Sequence, residues 1–147
     1  MRKLFFVILT VLLLYSCFII LNSRKTAPTL KVGAAILKIE IADTDAKRAQ
    51  GLSDRQSLCG DCGLLFIFDT SGIYPFWMRR MQFDIDILWI RNGEVVDITY
   101  EAKVPPKEEL EEPKTFYQSK VPVDQVLEVN SGWVKEKGIK IGEKIDF

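Results

Sequence analysis

Phe83 to Tyr100 reads FDIDILWIRNGEVVDITY, two runs of aliphatic, aromatic and β-branched residues separated by Asn92-Gly93. Asn and Gly both accept positive φ, which the tight turn of a two-residue β-hairpin requires. The stretch is therefore read as a hairpin. Working outward, Val123 to Asn130 returns to a strand pattern, Ser131 can cap a turn from Gly132 to Lys137, and Gly138 ends it. Ile139 to Phe147 reads as a final strand or strand pair. On the N-terminal side, Ala35 to Ala42 (AILKIEIA) sets Leu37, Ile39 and Ile41 against Lys38 and Glu40, the period of a half-buried strand. Thr44 or Asp45 can cap a short helix through Gln50 that Gly51 stops, and Ser53 can cap another turn through Leu58. Gly63 to Phe68 (GLLFIF) is a buried strand by composition, followed by turn residues Asp69 to Gly72, and Tyr74 to Met78 reads as another strand. Between the hairpin and Val123, the stretch Lys103 to Pro122 is too long for an ordinary connection and too polar for a strand, so it runs over the surface. The sum is a mainly β domain with two or three short helices, either a compact β-sandwich or a partly open barrel.

The composition sets limits. The chain has 147 residues, 20 Lys and Arg against 20 Asp and Glu, three Cys and no His. One domain fits that length. Without imidazole, Ser-His-Asp and Cys-His catalysis and His-based metal sites cannot be built, and no feature calls for a cofactor or a metal. Beyond Lys25 there are 16 basic and 20 acidic residues, so no general pull toward a phosphate backbone exists and nucleic acid is not an expected partner.

Leu4 to Leu21 is an 18-residue apolar run broken only by Thr10 and Ser16, with Arg2-Lys3 before it and Arg24-Lys25 after. As a helix it would be about 27 Å long, close to the hydrocarbon thickness of a bilayer. Residues 1–25 are read as a signal peptide or membrane anchor, 26–34 as a tether and 35–147 as the β-rich domain. Leu14-Tyr15-Ser16-Cys17 offers a lipoprotein-type alternative in which Cys17 is lipidated, and a cleaved signal is a third. All three place the domain outside the cytoplasm, in a bacterial-type cell envelope and tied to the membrane by helix or lipid, or else secreted. A reversed anchor would leave it cytoplasmic, and basic residues on both flanks keep that open.

Three constellations could carry chemistry. Cys59-Gly60-Asp61-Cys62 has the spacing of a loop disulfide or a thiol–disulfide oxidoreductase. The pair precedes a strand and not a helix, which removes the dipole that activates a redox cysteine and favours a disulfide. Asp84 and Asp86, two apart on one strand, would have Cβ atoms about 6 to 7 Å apart, near enough to share a ligand or flank a scissile bond. They can equally be solvated or structural carboxylates, and so can Glu128 on the Leu-Glu-Val strand. Finally, Arg48, Arg55, Trp77, Arg79 and Arg80 combine with Tyr74, Phe76 and Trp89 as a stacking and hydrogen-bonding patch for a small polar or carbohydrate-like ligand or a partner protein, or as core aromatics with a basic rim.

Gly51-Leu52 with Arg55, Gly63-Leu64-Leu65-Phe66, Phe76-Trp77-Met78, Phe83 to Ile90 with Asp86, Val126 to Asn130 with Gly132, and Gly138-Ile139 with Gly142 follow one another in order. That ordered set, spanning Lys31 to Phe147, resembles the family catalogued as domain of unknown function 192. The resemblance implies a small single β-rich domain, often exported behind a signal or anchor, and implies no particular activity. The chain departs from the family pattern at Arg79-Arg80-Met81, where members usually carry Lys-Asn-Thr, and at Asp84-Ile85, where they carry Pro-Leu. Any ligand contact made by that Asn and Thr is altered here. The expectation is a binding module near Trp77, Arg79 and Asp86 and not an enzyme, with a carboxylate-dependent hydrolase and a CxxC thiol oxidoreductase as alternatives.

Overall fold

The computed structural model describes residues 27–147, so the apolar leader lies outside the described residues. Within them no helix is long and apolar enough to cross a membrane. Nine strands and two short helices follow in the order β1 (Thr29–Val32), β2 (Ala35–Ala42), α1 (Asp45–Gln50), β3 (Cys62–Gly72), β4 (Phe76–Trp77), β5 (Ile85–Arg91), β6 (Glu94–Ala102), β7 (Phe116–Tyr117), β8 (Val123–Asn130), α2 (Trp133–Lys137) and β9 (Ile145–Asp146). Seven strands form one sheet in the order β6-β5-β8-β3-β2-β1-β9, and β4 pairs with β7 as a separate ribbon.

The hairpin is where the sequence places it. Asn92 and Gly93 take φ of 50° and 72°, and β5 and β6 run antiparallel from that turn. The connection from β2 to β3 is parallel and passes through α1, whose first turn is capped by the Thr44 hydroxyl accepting from the Lys47 N–H. Curling of the sheet brings its ends together near the hairpin. The Val95 N–H donates to the Glu143 carbonyl at 2.9 Å, and the Ile145 N–H donates to the Gly93 carbonyl at 2.9 Å, while β9 itself pairs with β1. The architecture is thus the partly open barrel and not the sandwich.

Both faces of the sheet are covered. On the first, Leu37, Leu65, Leu88 and Leu127 pack with Trp133 and Val134 of α2. On the second, Leu64, Phe66, Ile87, Trp89 and Val126 pack with Leu52, Met78 and Met81. The middle strands are therefore apolar on both sides, and β5 is buried from Ile85 to Ile90.

Four local expectations change. The segment read as a tether contains β1, whose Leu30 and Val32 point into the core, so the folded unit starts before residue 35. Asp69 to Gly72 continue β3 past a register irregularity and do not form a turn. No helix forms between Ser53 and Leu58. Gly132, at φ 85°, occupies the N-cap of α2 in place of Ser131. The polar stretch after β6 carries a 3-10 turn at Lys107–Glu109 and then β7, and is held down by the Arg80 N–H donating to the Leu110 carbonyl at 2.8 Å.

Asp86 ties three elements. It is 0% exposed, on the first face. Its Oδ1 accepts from the Glu101 N–H of β6 at 2.9 Å, and its Oδ2 accepts from the Val134 N–H in the first turn of α2 at 3.1 Å. Glu101 takes a φ of 51°, beside an irregularity in the β5–β6 register. Without the carboxylate the Val134 N–H would be left buried and unpaired, and the part-buried Glu101 N–H would lose its partner. We expect Asp86→Ala to lower unfolding free energy by about 2–4 kcal/mol, read from the urea midpoint, with Asp86→Asn recovering part of the loss. An unchanged midpoint would show that the two bonds contribute nothing net.

Candidate functional site

The second face opens into a cavity of about 150 Å³. A cavity of that size holds a guest about as large as benzene. One wall is the end of α1 and the turn after it, Arg48 to Ser53, in which Gly51 takes a φ of 51° and lies against the Phe66 ring. That conformation strains any residue with a Cβ. Phe66 and Phe68, alternating along β3, supply a second wall, and Tyr74 to Trp77 a third. The rings brace one another: Phe68 stacks on Tyr74 at 3.7 Å, and Phe66 meets Phe76 edge-on at 4.9 Å. Trp77 stands at the mouth, 48% exposed and edge-on to Phe116 of the small ribbon.

Glu128 reaches this cavity from β8. Sheet register sets Ile87, Glu128, Leu64 and Glu40 in one row across β5, β8, β3 and β2, so the carboxyl has an aliphatic neighbour on each side. It is 6% exposed, and its Oε2 has no hydrogen-bond partner among the described residues. Burial pushes the pKa up to about 8, and the positive charge of Arg55 offsets only part of that. At neutral pH the group is mostly protonated. Arg55 does not bond it, because both guanidinium Nη groups are forked onto Glu40 at 2.5 and 2.9 Å. That hydrogen bond holds the Glu40 carboxyl below its usual range.

The other candidate residues are distributed as follows. Arg48 lines the cavity, donating from Nη1 to the Ile67 carbonyl and from Nη2 to Asp45, with its guanidinium over the Phe68 ring. Arg79 pairs with Glu111 at 3.2 Å outside the cavity. Asp84 precedes β5, and its carboxylate accepts from the Val104 N–H and from Lys103, both at 2.9 Å. Burial works against the Asp84 charge, but those two donors outweigh it and its pKa is lowered. Asp84 and Asp86 therefore serve separate backbone contacts and do not form a pair. Nor do Trp77, Arg79 and Asp86 make one patch, because Asp86 faces the opposite layer of the sheet.

Cys59 and Cys62 form a disulfide with Cα atoms 5.2 Å apart. Its loop is tethered by the Asn130 side chain, which donates to the Leu58 and Cys59 carbonyls. Cys17 lies outside the described residues. Among those described, no group of three or more Cys, Asp or Glu is placed to hold a metal ion. The walls contributed by Gly51, Leu52, Ser53, Phe66 and Phe68 were not anticipated as site residues. Phe66 and Phe68 have the alternation that puts both on one face, but only the sheet register brings that face to Glu128.

Residues 28–147 match the model of DUF192, a family described as an uncharacterised ACR. No curated protein matches the chain. Among solved structures, a protein from Sinorhizobium meliloti 1021, described as a candidate transcription regulator, is similar with a TM-score of 0.72 and 26% identity, over 84% of this chain and 97% of that one. A protein of unknown function from Novosphingobium aromaticivorans DSM 12444 is similar with a TM-score of 0.71 and 27% identity, over 81% of this chain and 84% of that one. Gly51, Leu52, Phe66, Phe76, Trp77 and Glu128, all among the residues that carry the sequence resemblance, line the cavity.

Glu128 has a direct consequence for stability. Its folded pKa lies above the unfolded value, so the native state binds the extra proton, and stability falls as pH rises from about 4.5 to about 8. Glu128→Gln removes the ionisable group. We expect it to raise the melting temperature little at pH 5 and clearly at pH 8, by the equivalent of about 1–3 kcal/mol. An equal effect at both pH values would contradict a buried, proton-binding carboxyl.

Proposed function

The chain belongs to the DUF192 family, and from that footing we propose that it is a membrane-tethered, extracytoplasmic binding module and not an enzyme. Its ligand is small, of about one ring's bulk, with an apolar face and a polar group. The observation that carries this reading is the aromatic cavity with an unpartnered, buried carboxyl reaching into it. Apolar pockets with a few convergent polar groups are the usual form of small-molecule sites. A group left without a partner in such a pocket gains a hydrogen bond only when a guest arrives.

The alternatives find less support. A hydrolase built on paired carboxylates needs two acids converging on one point, whereas Asp84 and Asp86 are each engaged by backbone N–H groups and Glu40 is forked by Arg55. A thiol oxidoreductase needs an activated thiolate, and this disulfide sits before a strand with no helix N-terminus behind it. The regulator label of the Sinorhizobium protein does not extend to nucleic-acid binding here, since Arg48, Arg55, Arg79 and Arg80 all pair with acids and form no free basic face. Placement outside the cytoplasm rests on the apolar leader and accords with the disulfide.

The test is a titration of the full-length protein with single-ring compounds, methyl glycosides and benzyl derivatives, followed by NMR. Shifts should concentrate on Phe68, Tyr74, Phe76 and Trp77, and Trp77→Ala should weaken the best binder about tenfold, the worth of one aromatic contact. If no compound in the panel perturbs these rings at millimolar concentration, the cavity is packing and the reading fails.

A further inference from the structure

Around the cavity rim the side-chain donors of Gln50, Ser53 and Tyr74 and the two Nη groups of Arg48 are already committed to the protein itself. Arg48 donates to the Ile67 carbonyl and to Asp45, Gln50 to the Ser53 carbonyl, Ser53 to the Arg79 carbonyl and Tyr74 to the Thr70 carbonyl. The backbone N–H groups of Gly51 and Ser53 are likewise engaged, with the Lys47 and Gln50 carbonyls. A bound carboxylate or phosphate would meet a buried acid, and the one guanidinium on the cavity wall, Arg48, is already bonded through both Nη groups. The site thus disfavours an anion. What the interior offers is the Glu128 carboxyl, whose Oε2 is buried without a hydrogen-bond partner, beside the rings of Phe66, Tyr74, Phe76 and Trp77, while the Phe68 ring already carries the Arg48 guanidinium and is stacked with Tyr74.

That combination suits one charge type. Aromatic faces attract cations through the ring quadrupole, and the attraction grows when water is excluded. A buried carboxylate completes its hydrogen bonding most strongly with a charged donor. Resting on the binding-module reading, we propose that the ligand is an organic ammonium of one ring's bulk, seated against the aromatic walls with its N–H groups on the Glu128 carboxylate.

The charged and titratable groups around Glu128 are compatible with this exchange. Arg55, in the turn after α1, is forked onto Glu40 of β2, and Arg48 of α1 is paired with Asp45. The Tyr74 hydroxyl is bonded to the Thr70 carbonyl, and the row neighbours on β3 and β5, Leu64 and Ile87, carry no charge. Glu128 is the group left to change state. In the free protein it is mostly protonated at pH 7, with a pKa of about 8. Arrival of R–NH₃⁺ ionises it. The O–H bond of the carboxyl breaks, its proton leaves to solvent, and an ammonium–carboxylate pair remains with no net change of charge in the cavity relative to the free state other than the ligand's cation minus that proton.

Benzylamine and its neutral near-isostere benzyl alcohol separate the two levels of the argument. Both are titrated calorimetrically into the full-length protein, at pH 6, 7 and 8, in two buffers of different ionisation enthalpy. We expect benzylamine to bind at least tenfold tighter than benzyl alcohol at pH 8 and to release close to one proton at pH 7. Its affinity should rise about tenfold from pH 6 to pH 7, as one proton must leave. Glu128→Gln, checked for folding by circular dichroism, should remove the amine's advantage and the proton release while leaving benzyl alcohol within about threefold. If benzyl alcohol binds as well as benzylamine, or amine binding releases no proton, the ammonium assignment is overturned and the cavity remains a site for neutral rings. If neither compound binds, the assignment falls together with the binding-module reading.

Discussion

β8 is covered on both faces, and most of what is distinctive in this domain follows from that constraint. Its neighbours β3 and β5 are long strands, one layer above it is closed by α2 and the other by the α1 turn and the aromatic ribbon. Val126, Leu127 and Val129 satisfy such a position without cost. Glu128 does not. A carboxylate in a dry layer is stable only when bonded or neutralised, and this one is neutralised. The aromatic rings around it deepen the effect, because they remove water without supplying donors. The cavity, the displaced pKa and the vacant acceptor are three expressions of one residue on a strand with no wet side.

The parts of the fold that could be read from the chain are those set by local chemistry. Asn92-Gly93 made the hairpin legible, since two successive positive φ values are an intrinsic demand of the turn. β2 and β8 have the bounds that alternation and composition suggest, and Thr44 and Gly51 delimit α1 as their cap chemistry predicts. What escaped was set by partners distant in the chain. β1 is four residues long beside Pro28, and it becomes a strand because β2 and β9 pair with it on either side. Ile139 to Phe147 reads as a final strand or strand pair, yet only Ile145–Asp146 pairs with β1, because Gly142 to Lys144 instead join the hairpin end of β6. Gly132 displaced Ser131 as the cap because the chain leaving β8 must turn through a left-handed residue.

The site was legible as a list of residues but not as an assembly. Arg48, Trp77 and Glu128 do line one cavity, and Arg55 stays outside it and acts on Glu128 only through its charge. The proposed Asp84 and Asp86 pair rested on period-two alternation, which holds only inside a strand; Asp84 lies one residue before β5 and turns to Lys103 and Val104. Register is the missing information. Leu64 and Ile87 sit beside Glu128 because of how β3 and β5 slide against β8, and no window of sequence contains all three.

Asp86 and Glu128 put the functional argument in its sharpest form. Both are acids on adjacent, paired strands, both are nearly removed from solvent, and both stand among aliphatic neighbours. Burial alone therefore distinguishes nothing. Asp86 looks to the layer where α2 begins and toward which the Glu101 N–H points, so two backbone N–H groups complete it and it holds the fold together. Glu128 looks to the layer made of rings, where Arg48, Ser53 and Tyr74 donate to backbone carbonyls and none donates to it. A carboxyl that the protein completes is structural by its own geometry. One that the protein surrounds with π-faces and leaves without a partner is destabilising at neutral pH, and nothing in the packing requires an acid there, since Gln or Leu would fill the same row. Such an unpartnered acid beside a guest-sized cavity is what the proposed ligand would complete.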